Sequence, residues 1–186
     1  MNLPNLITLS RLVVTTACFV LLALLEKAPP PTPVWWVFGL FLFAAFTDYV
    51  DGWLARRWHQ VTQFGRVADP FADKILVCGT MIMLVEFPVT AAILPGWVVV
   101  IVVARELLVT ALRAALEAAG HPFPADGLGK WKMVAQCVAA AALLTVLAGS
   151  SVFARTAVVA VWVALGFTVV SGLNYLAKAG RLLHLR

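Results

Sequence analysis

Charged side chains are scarce in this chain of 186 residues: 12% of the residues are charged, whereas 62% are hydrophobic. A soluble domain has about a quarter charged and about half apolar residues, so this composition excludes an ordinary soluble domain. Only three cysteines occur, without a C-x-x-C pair, which argues against a disulfide framework. We expect Cys18, Cys78 and Cys137 to be small buried apolar residues. Linkers and repeats are also lacking, which indicates one membrane-embedded domain over residues 1–186.

The chain contains long runs of apolar residues with few charges. A membrane-spanning helix needs about 20 mostly apolar residues, and six runs reach this length once their flanking turns are added. The runs cover residues 12–26, 34–47, 75–94, 97–104, 133–152 and 156–173. The sequence therefore predicts an all-α integral membrane protein with six transmembrane helices. Residues 1–10, which mix polar and apolar side chains around Pro4, are expected to form a short interfacial segment.

The distribution of basic residues predicts the orientation of the spans. Of the 14 lysines and arginines, only Lys27 and Arg155 fall at the ends that would lie outside. Positive residues accumulate on the cytoplasmic side of a membrane. Both termini are therefore expected in the cytoplasm.

Acidic residues are fewer than basic ones, nine against 14, yet four of the nine lie within residues 48–73. Carboxylates inside apolar segments are unfavourable and mark a functional site with a partner. The pattern is D-x2-D-G-x2-A-R-x8-G-x3-D-x3-D, formed by Asp48, Asp51, Gly52, Ala55, Arg56, Gly65, Asp69 and Asp73.

Helical geometry gives this pattern a chemical meaning. With residues 34–57 and 64–86 helical, aspartates three or four positions apart share one helix face. Two neighbouring helices would then present four carboxylates to each other at their cytoplasmic ends. Hard oxygen ligands of this kind suit Mg²⁺ or Mn²⁺, and we expect two ions.

The small residues of the pattern allow two interpretations. Gly52 and Ala55 would let a ligand approach the helix backbone, or they would allow close packing between helices. Arg56, at the water edge, can bind a phosphate through two parallel hydrogen bonds.

The full pattern resembles the motif of the CDP-alcohol phosphatidyltransferases, with every fixed position occupied. The resemblance implies six membrane helices, homodimers and the transfer of a phosphatidyl or phosphoalcohol group with release of CMP. It implies that Asp48, Asp51 and Asp69 are metal ligands. Asp73 would be a ligand and the general base. Gly52, Ala55 and Arg56 would line the CDP site.

A second group of polar residues bears on the acceptor alcohol. Arg105, Glu106 and Arg113 lie in the fourth span, and Lys130 and Lys132 open the fifth. Several cations beside a pyrophosphate site predict an anionic acceptor, most simply a phosphate ester. Arg105 could pair with Glu106 or an aspartate, and Arg113 and Lys132 could instead anchor helix ends to anionic headgroups. Asp126 is a candidate N-cap of the fifth span.

Three further segments resemble a bacterial branch of this family, which uses CDP-diacylglycerol and sn-glycerol 3-phosphate. They are NLPNLITLSRL, ARELLVTALRAALEAAG and GKWKMVAQ. This resemblance implies a location in the bacterial inner membrane. By this resemblance Arg105, Arg113, Lys130 and Lys132 bind the acceptor phosphate. Asn5, Thr8 and Arg11 match the family pattern and are expected near the nucleotide or the metals. Met133 stands where a threonine is expected.

Other functions are compatible with parts of this pattern. Inositol phosphate, serine or another polar alcohol could be the acceptor. A magnesium-dependent membrane prenyltransferase also places aspartate pairs on helices, but the D-G-x2-A-R core is foreign to it. A divalent-cation transporter should carry polar groups at mid-membrane depth on several spans, whereas these aspartates cluster at one edge.

Overall fold

A computed structural model describes the backbone of residues 3–58, 63–120 and 127–184, and the side chains of 9–47, 71–72, 74–120 and 127–181. Every regular element in these ranges is helical, which confirms the all-α prediction. The elements are α1 (Leu3–Leu24), α2 (Pro31–Trp58), α3 (Gln63–Leu84), α4 (Pro88–Ala91), α5 (Gly96–Ala118), α6 (Gly127–Leu147), a 3₁₀ turn (Ser151–Phe153) and α7 (Ala154–His184).

Proline and glycine set several helix ends. Helix α2 begins at Pro31, where a missing N–H group does no harm because the first turn has no acceptor for it. Gly120 and Gly149 follow the C-terminal ends of α5 and α6 with φ of 80° and 87°, a left-handed conformation that favours glycine. The backbone N–H of Ser150 then donates to the carbonyl of Thr145 at 3.0 Å and closes the end of α6.

The apolar run 75–94 is divided between two helices, and the first of them agrees with the helix predicted over residues 64–86. Helix α3 ends at Leu84, and the four-residue α4 begins at Pro88, which cannot donate a backbone hydrogen bond to continue a helix. The hydroxyl of Thr90 donates to the carbonyls of Leu84 and, at 3.1 Å, of Phe87, and so holds the turn between the two helices.

The interfacial position of residues 1–10 stays a prediction, and the backbone of residues 3–10 is helical. Helix α1 is continuous from Leu3, so the polar segment and the first apolar run form one helix. Pro4 is compatible with this helix because it lies in the first turn.

Helix α6 occupies the middle of the bundle, where it packs against α2, α3 and α7. Ala139 and Ala140 are fully buried there, and small residues of this kind let helices approach closely. Helix α1 packs against α2 and α3. The cysteine prediction is confirmed for Cys18 and Cys78, which are buried, whereas Cys137 is partly buried.

The outer surface of the described bundle is apolar. Trp36, Leu107 and Val159 are 70%, 65% and 61% exposed, and apolar surface on this scale marks contact with lipid or another protein. Within the described ranges, Gly127–Leu147 and Ser151–Arg181 are long and apolar enough to cross a membrane. The further spans remain a prediction.

Candidate active site

The aspartate motif lies where two consecutive helices meet. Asp48 and Asp51 fall near the C-terminal end of α2, and Asp69 and Asp73 fall in the N-terminal half of α3, as the sequence predicts. Only residues 59–62 separate the two helices, so these helix ends lie at the same end of the bundle. Their side chains, and those of Asn5, Thr8, Gly52, Ala55 and Arg56, lie outside the described residues.

The chemistry of this donor set fits a divalent cation. Four carboxylates supply only hard, negatively charged oxygen atoms, which Mg²⁺ and Mn²⁺ prefer over softer ligands. Within each helix the spacing of three or four residues keeps a pair of carboxylates on one face. The individual roles of the four aspartates remain predictions.

Lys74, directly after Asp73, connects the aspartate helix to α5. Its Nζ donates to the Thr110 hydroxyl at 2.5 Å, and this hydroxyl donates to the backbone carbonyl of Glu106 at 2.7 Å. The helix that carries Asp73 is therefore tied to the part of α5 that carries the predicted acceptor cations.

Glu106 is the centre of a buried ion-pair network. Its Oε1 accepts from Nζ of Lys132 on α6 and lies 3.2 Å from Nη1 of Arg105. All three side chains are about nine-tenths buried, with 10% of Arg105, 8% of Lys132 and 7% of Glu106 exposed. Buried charges need such partners because they have lost the solvation by water. Of the two kinds of partner considered for Arg105, Glu106 or an aspartate, the described residues show Glu106.

Tyr175 of α7 joins the two predicted arginines. The guanidinium carbon of Arg105 lies 5.5 Å from the centre of its ring, and Nη2 of Arg113 lies 3.4 Å from its hydroxyl. Nη2 of Arg105 also donates to the hydroxyl of Ser171 at 2.9 Å. We call these residues the α5–α7 polar cluster: Arg105, Glu106, Arg113, Lys132, Ser171 and Tyr175.

The structure brings three of the four predicted acceptor cations into this cluster and separates the fourth. Lys130 is exposed, whereas Lys132, two positions later, is buried. Two helical positions differ by about 200° in direction, so these lysines cannot face the same cavity. Arg11 is buried on α1, with 2% of its surface exposed. Asp126, directly before α6, lies outside the described residues.

The sequence interpretation missed the contribution of α7. Thr168, Ser171 and Tyr175 are spaced by three and four residues, which places them on one helix face. About one turn before Ser171 on α7, the hydroxyl of Thr168 accepts from Nε2 of Gln136 at 2.9 Å. The sequence did contain a signal, because these polar residues recur at helical spacing within and just after the apolar run 156–173. The interpretation considered only the apolar character of that run.

Comparisons with known proteins define the class. The family model of the CDP-alcohol phosphatidyltransferases matches residues 1–170. The chain belongs to this family, which confirms the resemblance and decides against a prenyltransferase or a transporter. The family is membrane-bound in bacteria and generally uses divalent metal ions.

Three relatives point to one activity within the class. A protein of Bacillus subtilis is 40% identical, with 95% of this chain and 94% of the relative covered. Proteins of Escherichia coli and Haemophilus influenzae are 36% and 31% identical, with 96% of this chain and 94% and 93% of the relatives covered. All three are named CDP-diacylglycerol–glycerol-3-phosphate 3-phosphatidyltransferase.

Proposed function

We propose that this chain transfers the phosphatidyl group of CDP-diacylglycerol to sn-glycerol 3-phosphate, forming phosphatidylglycerol phosphate and CMP. The observation that carries the proposal is that relatives with this activity in their names align with nearly the whole chain. The α5–α7 polar cluster supports it independently, because its surplus of cations suits an acceptor that carries a phosphate.

The donor substrate is assigned to the ends of α2 and α3. Asp48, Asp51 and Asp69 would hold the divalent ions, Mg²⁺ or Mn²⁺, and Asp73 would be a ligand and the general base. The residues that would line the CDP site are Asn5, Thr8, Gly52, Ala55 and Arg56.

The acceptor substrate is assigned to the polar cluster and the nearby surface. Arg113 is the strongest candidate for its phosphate, because this side chain is partly buried and its one described hydrogen bond is long, at 3.4 Å to Tyr175. Arg105 and Lys132 supply further positive charge, part of which Glu106 compensates. Lys130 is exposed and suits attraction of the anion from solvent.

The reaction is a substitution at phosphorus. The primary hydroxyl oxygen of glycerol 3-phosphate bonds to the phosphorus that bears diacylglycerol, and Asp73 accepts the hydroxyl proton. The bond from that phosphorus to the bridging oxygen of CMP breaks, and CMP leaves with the electron pair. When bound, the divalent ions supply positive charge to the pyrophosphate. A carboxylate is a weak base, so positioning and charge stabilisation carry most of the rate.

The proposed setting is a bacterial cytoplasmic membrane. The six long helices would span it, with both termini and the aspartate motif on the cytoplasmic side and the protein as a homodimer. The contact between Lys27 and Glu86 at 3.3 Å supports the alternation of the spans, because it joins the α1–α2 connection to the α3–α4 turn.

A lipid-extraction assay tests the proposal. Purified protein in detergent is given labelled glycerol 3-phosphate, CDP-diacylglycerol and Mg²⁺, and the label is expected in the lipid phase only with all three. Chelation should abolish the transfer, and Mg²⁺ or Mn²⁺ should restore it. Parallel reactions with inositol phosphate and serine compare the alternative acceptors. Transfer to either of these, with none to glycerol 3-phosphate, would refute the proposed acceptor.

A further inference from the structure

We propose that Tyr175 is a positioning residue that aims Arg105 and Arg113 at the acceptor phosphate, so that α7 forms a wall of the acceptor site. The inference rests on the proposed function, since it needs an acceptor that carries a phosphate. It adds a residue and a helix that the aspartate motif and the cationic segments do not contain.

The first argument is that one side chain contacts both arginines in different ways. The aromatic face of Tyr175 lies under the guanidinium of Arg105, at 5.5 Å, and its hydroxyl accepts from Nη2 of Arg113, at 3.4 Å. Tyr175 itself is only 3% exposed. A buried tyrosine ring has little rotational freedom, so both contacts fix the directions in which the arginines point.

The second argument is that α7 is shaped to receive Arg105. A Cβ atom on Gly172 would lie 3.1 Å from Cγ of Arg105, closer than most real contacts of this kind. Glycine at this position lets the arginine stem lie against the helix backbone. The Ser171 hydroxyl then accepts from Nη2 of Arg105 at 2.9 Å, while Glu106 lies 3.2 Å from Nη1. Arg105 is thus fixed by contacts on three sides.

The third argument is that both arginines keep a donor for a ligand. The Nε–H groups of Arg105 and Arg113 are buried and have no acceptor among the residues whose side chains are described. Buried donors are normally satisfied, so an acceptor is expected to reach them. A phosphate offers several oxygen atoms to two neighbouring guanidinium groups.

Charge balance within the cluster agrees with this ligand. The cluster contains three cations, Arg105, Arg113 and Lys132, and one carboxylate, Glu106. A phosphate monoester carries a charge of about −1.5 to −2 at neutral pH, which offsets the surplus. The tyrosine brings two like charges together, and a bound anion relieves their repulsion.

Two different substitutions of Tyr175 distinguish the effect of its hydroxyl from the effect of its ring. Tyr175→Phe keeps the ring under Arg105 and removes the hydroxyl that holds Arg113. We expect the KM for glycerol 3-phosphate to rise about two- to tenfold, the range that corresponds to one hydrogen bond, with kcat and the KM for CDP-diacylglycerol unchanged. Tyr175→Leu removes both contacts and should raise the same KM further. Thr156→Val, which removes an exposed hydroxyl from the far end of α7, should change none of these three parameters.

A double variant tests whether Tyr175 acts through Arg113. In an Arg113→Ala background, Tyr175→Phe should have no further effect on the KM for glycerol 3-phosphate, because the hydroxyl has lost its target. Equal effects in the two backgrounds would overturn the inference. So would a fall in kcat and a rise in both KM values together with a lower melting temperature, which a merely structural role predicts.

The two proposals can fail separately. If the wild-type chain transfers to glycerol 3-phosphate and Arg113→Ala raises its KM, but Tyr175→Phe does not, the positioning role alone is refuted. If the wild-type chain transfers to another alcohol and not to glycerol 3-phosphate, the proposed acceptor is refuted and the inference falls with it.

Discussion

Glu106 of α5 and Lys132 of α6 form an ion pair inside the helix bundle, although 26 positions separate them in the chain. Both side chains are more than nine-tenths buried. The exposed pair Lys27 and Glu86 offers a comparison in the same molecule, with side chains 66% and 59% exposed. The same two residue types therefore meet in two very different environments.

The buried pair is expected to be important for stability. Glu106→Gln leaves Lys132 buried without its counter-charge, and breaking such a pair costs about 3–5 kcal/mol. Glu86→Gln should cost at most about 1 kcal/mol, because its pair is solvated. The apparent melting temperature of each variant in detergent measures these losses of stability. The double variant Glu106→Gln/Lys132→Met should recover part of the loss, and equal effects of the two glutamate substitutions would contradict the burial argument.

Removal of the Arg113 guanidinium should weaken acceptor binding selectively. A hydrogen bond to a charged group contributes about 1.5–3 kcal/mol, so Arg113→Ala should raise the KM for glycerol 3-phosphate about 10- to 100-fold. The KM for CDP-diacylglycerol should stay constant. Arg155→Ala, at the exposed start of α7, is the matched control. An unchanged KM for glycerol 3-phosphate in Arg113→Ala would remove this residue from the acceptor site.

Loss of the proposed base should affect catalysis far more than binding. General-base catalysis contributes about 10²- to 10⁴-fold, so Asp73→Asn should lower kcat by at least about 100-fold even with saturating Mg²⁺. Glu117→Gln removes an exposed carboxylate from the end of α5 and should have little effect. Substantial transferase activity in Asp73→Asn would show that another group accepts the proton.

The packing of α1 against α3 gives a prediction that is independent of the chemistry. A Cβ atom on Gly79 would overlap the ring of Phe19, so Gly79→Ala should destabilise the protein by about 1–3 kcal/mol. Gly166→Ala on α7 meets open space and should be neutral or stabilising by up to about 1 kcal/mol. The melting temperatures of the two variants in detergent measure this difference. If Phe19→Leu fails to relieve the effect of Gly79→Ala, the overlap is not its cause.

Much of the helix pattern could be predicted from local chemistry. Prolines 29–31 and Pro95 directly precede or begin α2 and α5, and the apolar runs correspond to much of the long helices. The predicted helix over residues 64–86 agrees with α3, whereas the short helix α4 was not predicted, because residues 88–91 lie in an apolar stretch between prolines. The motif was enough to predict the family, because it consists of fixed residue types at fixed intervals and can be read without any knowledge of the packing.

The partners within the polar cluster were harder to predict. Helical spacing alone shows that Lys130 and Lys132 diverge, but which of them faces inward depends on how α6 packs in the bundle. The contact between Arg113 and Tyr175 joins residues 62 positions apart, and a single sequence carries no direct signal of it. Long-range contacts of this kind follow from tertiary packing.

The hydrogen bonds from Lys74 to Thr110, and from Thr110 to the Glu106 carbonyl, have a consequence for engineering. A substitution that shifts this turn of α5 would disturb the support of α3 along with the proposed acceptor site. Efforts to exchange the proposed acceptor should therefore begin on α7, for example at Ser171, whose described hydrogen bonds are to Arg105 and to the carbonyl of Thr168.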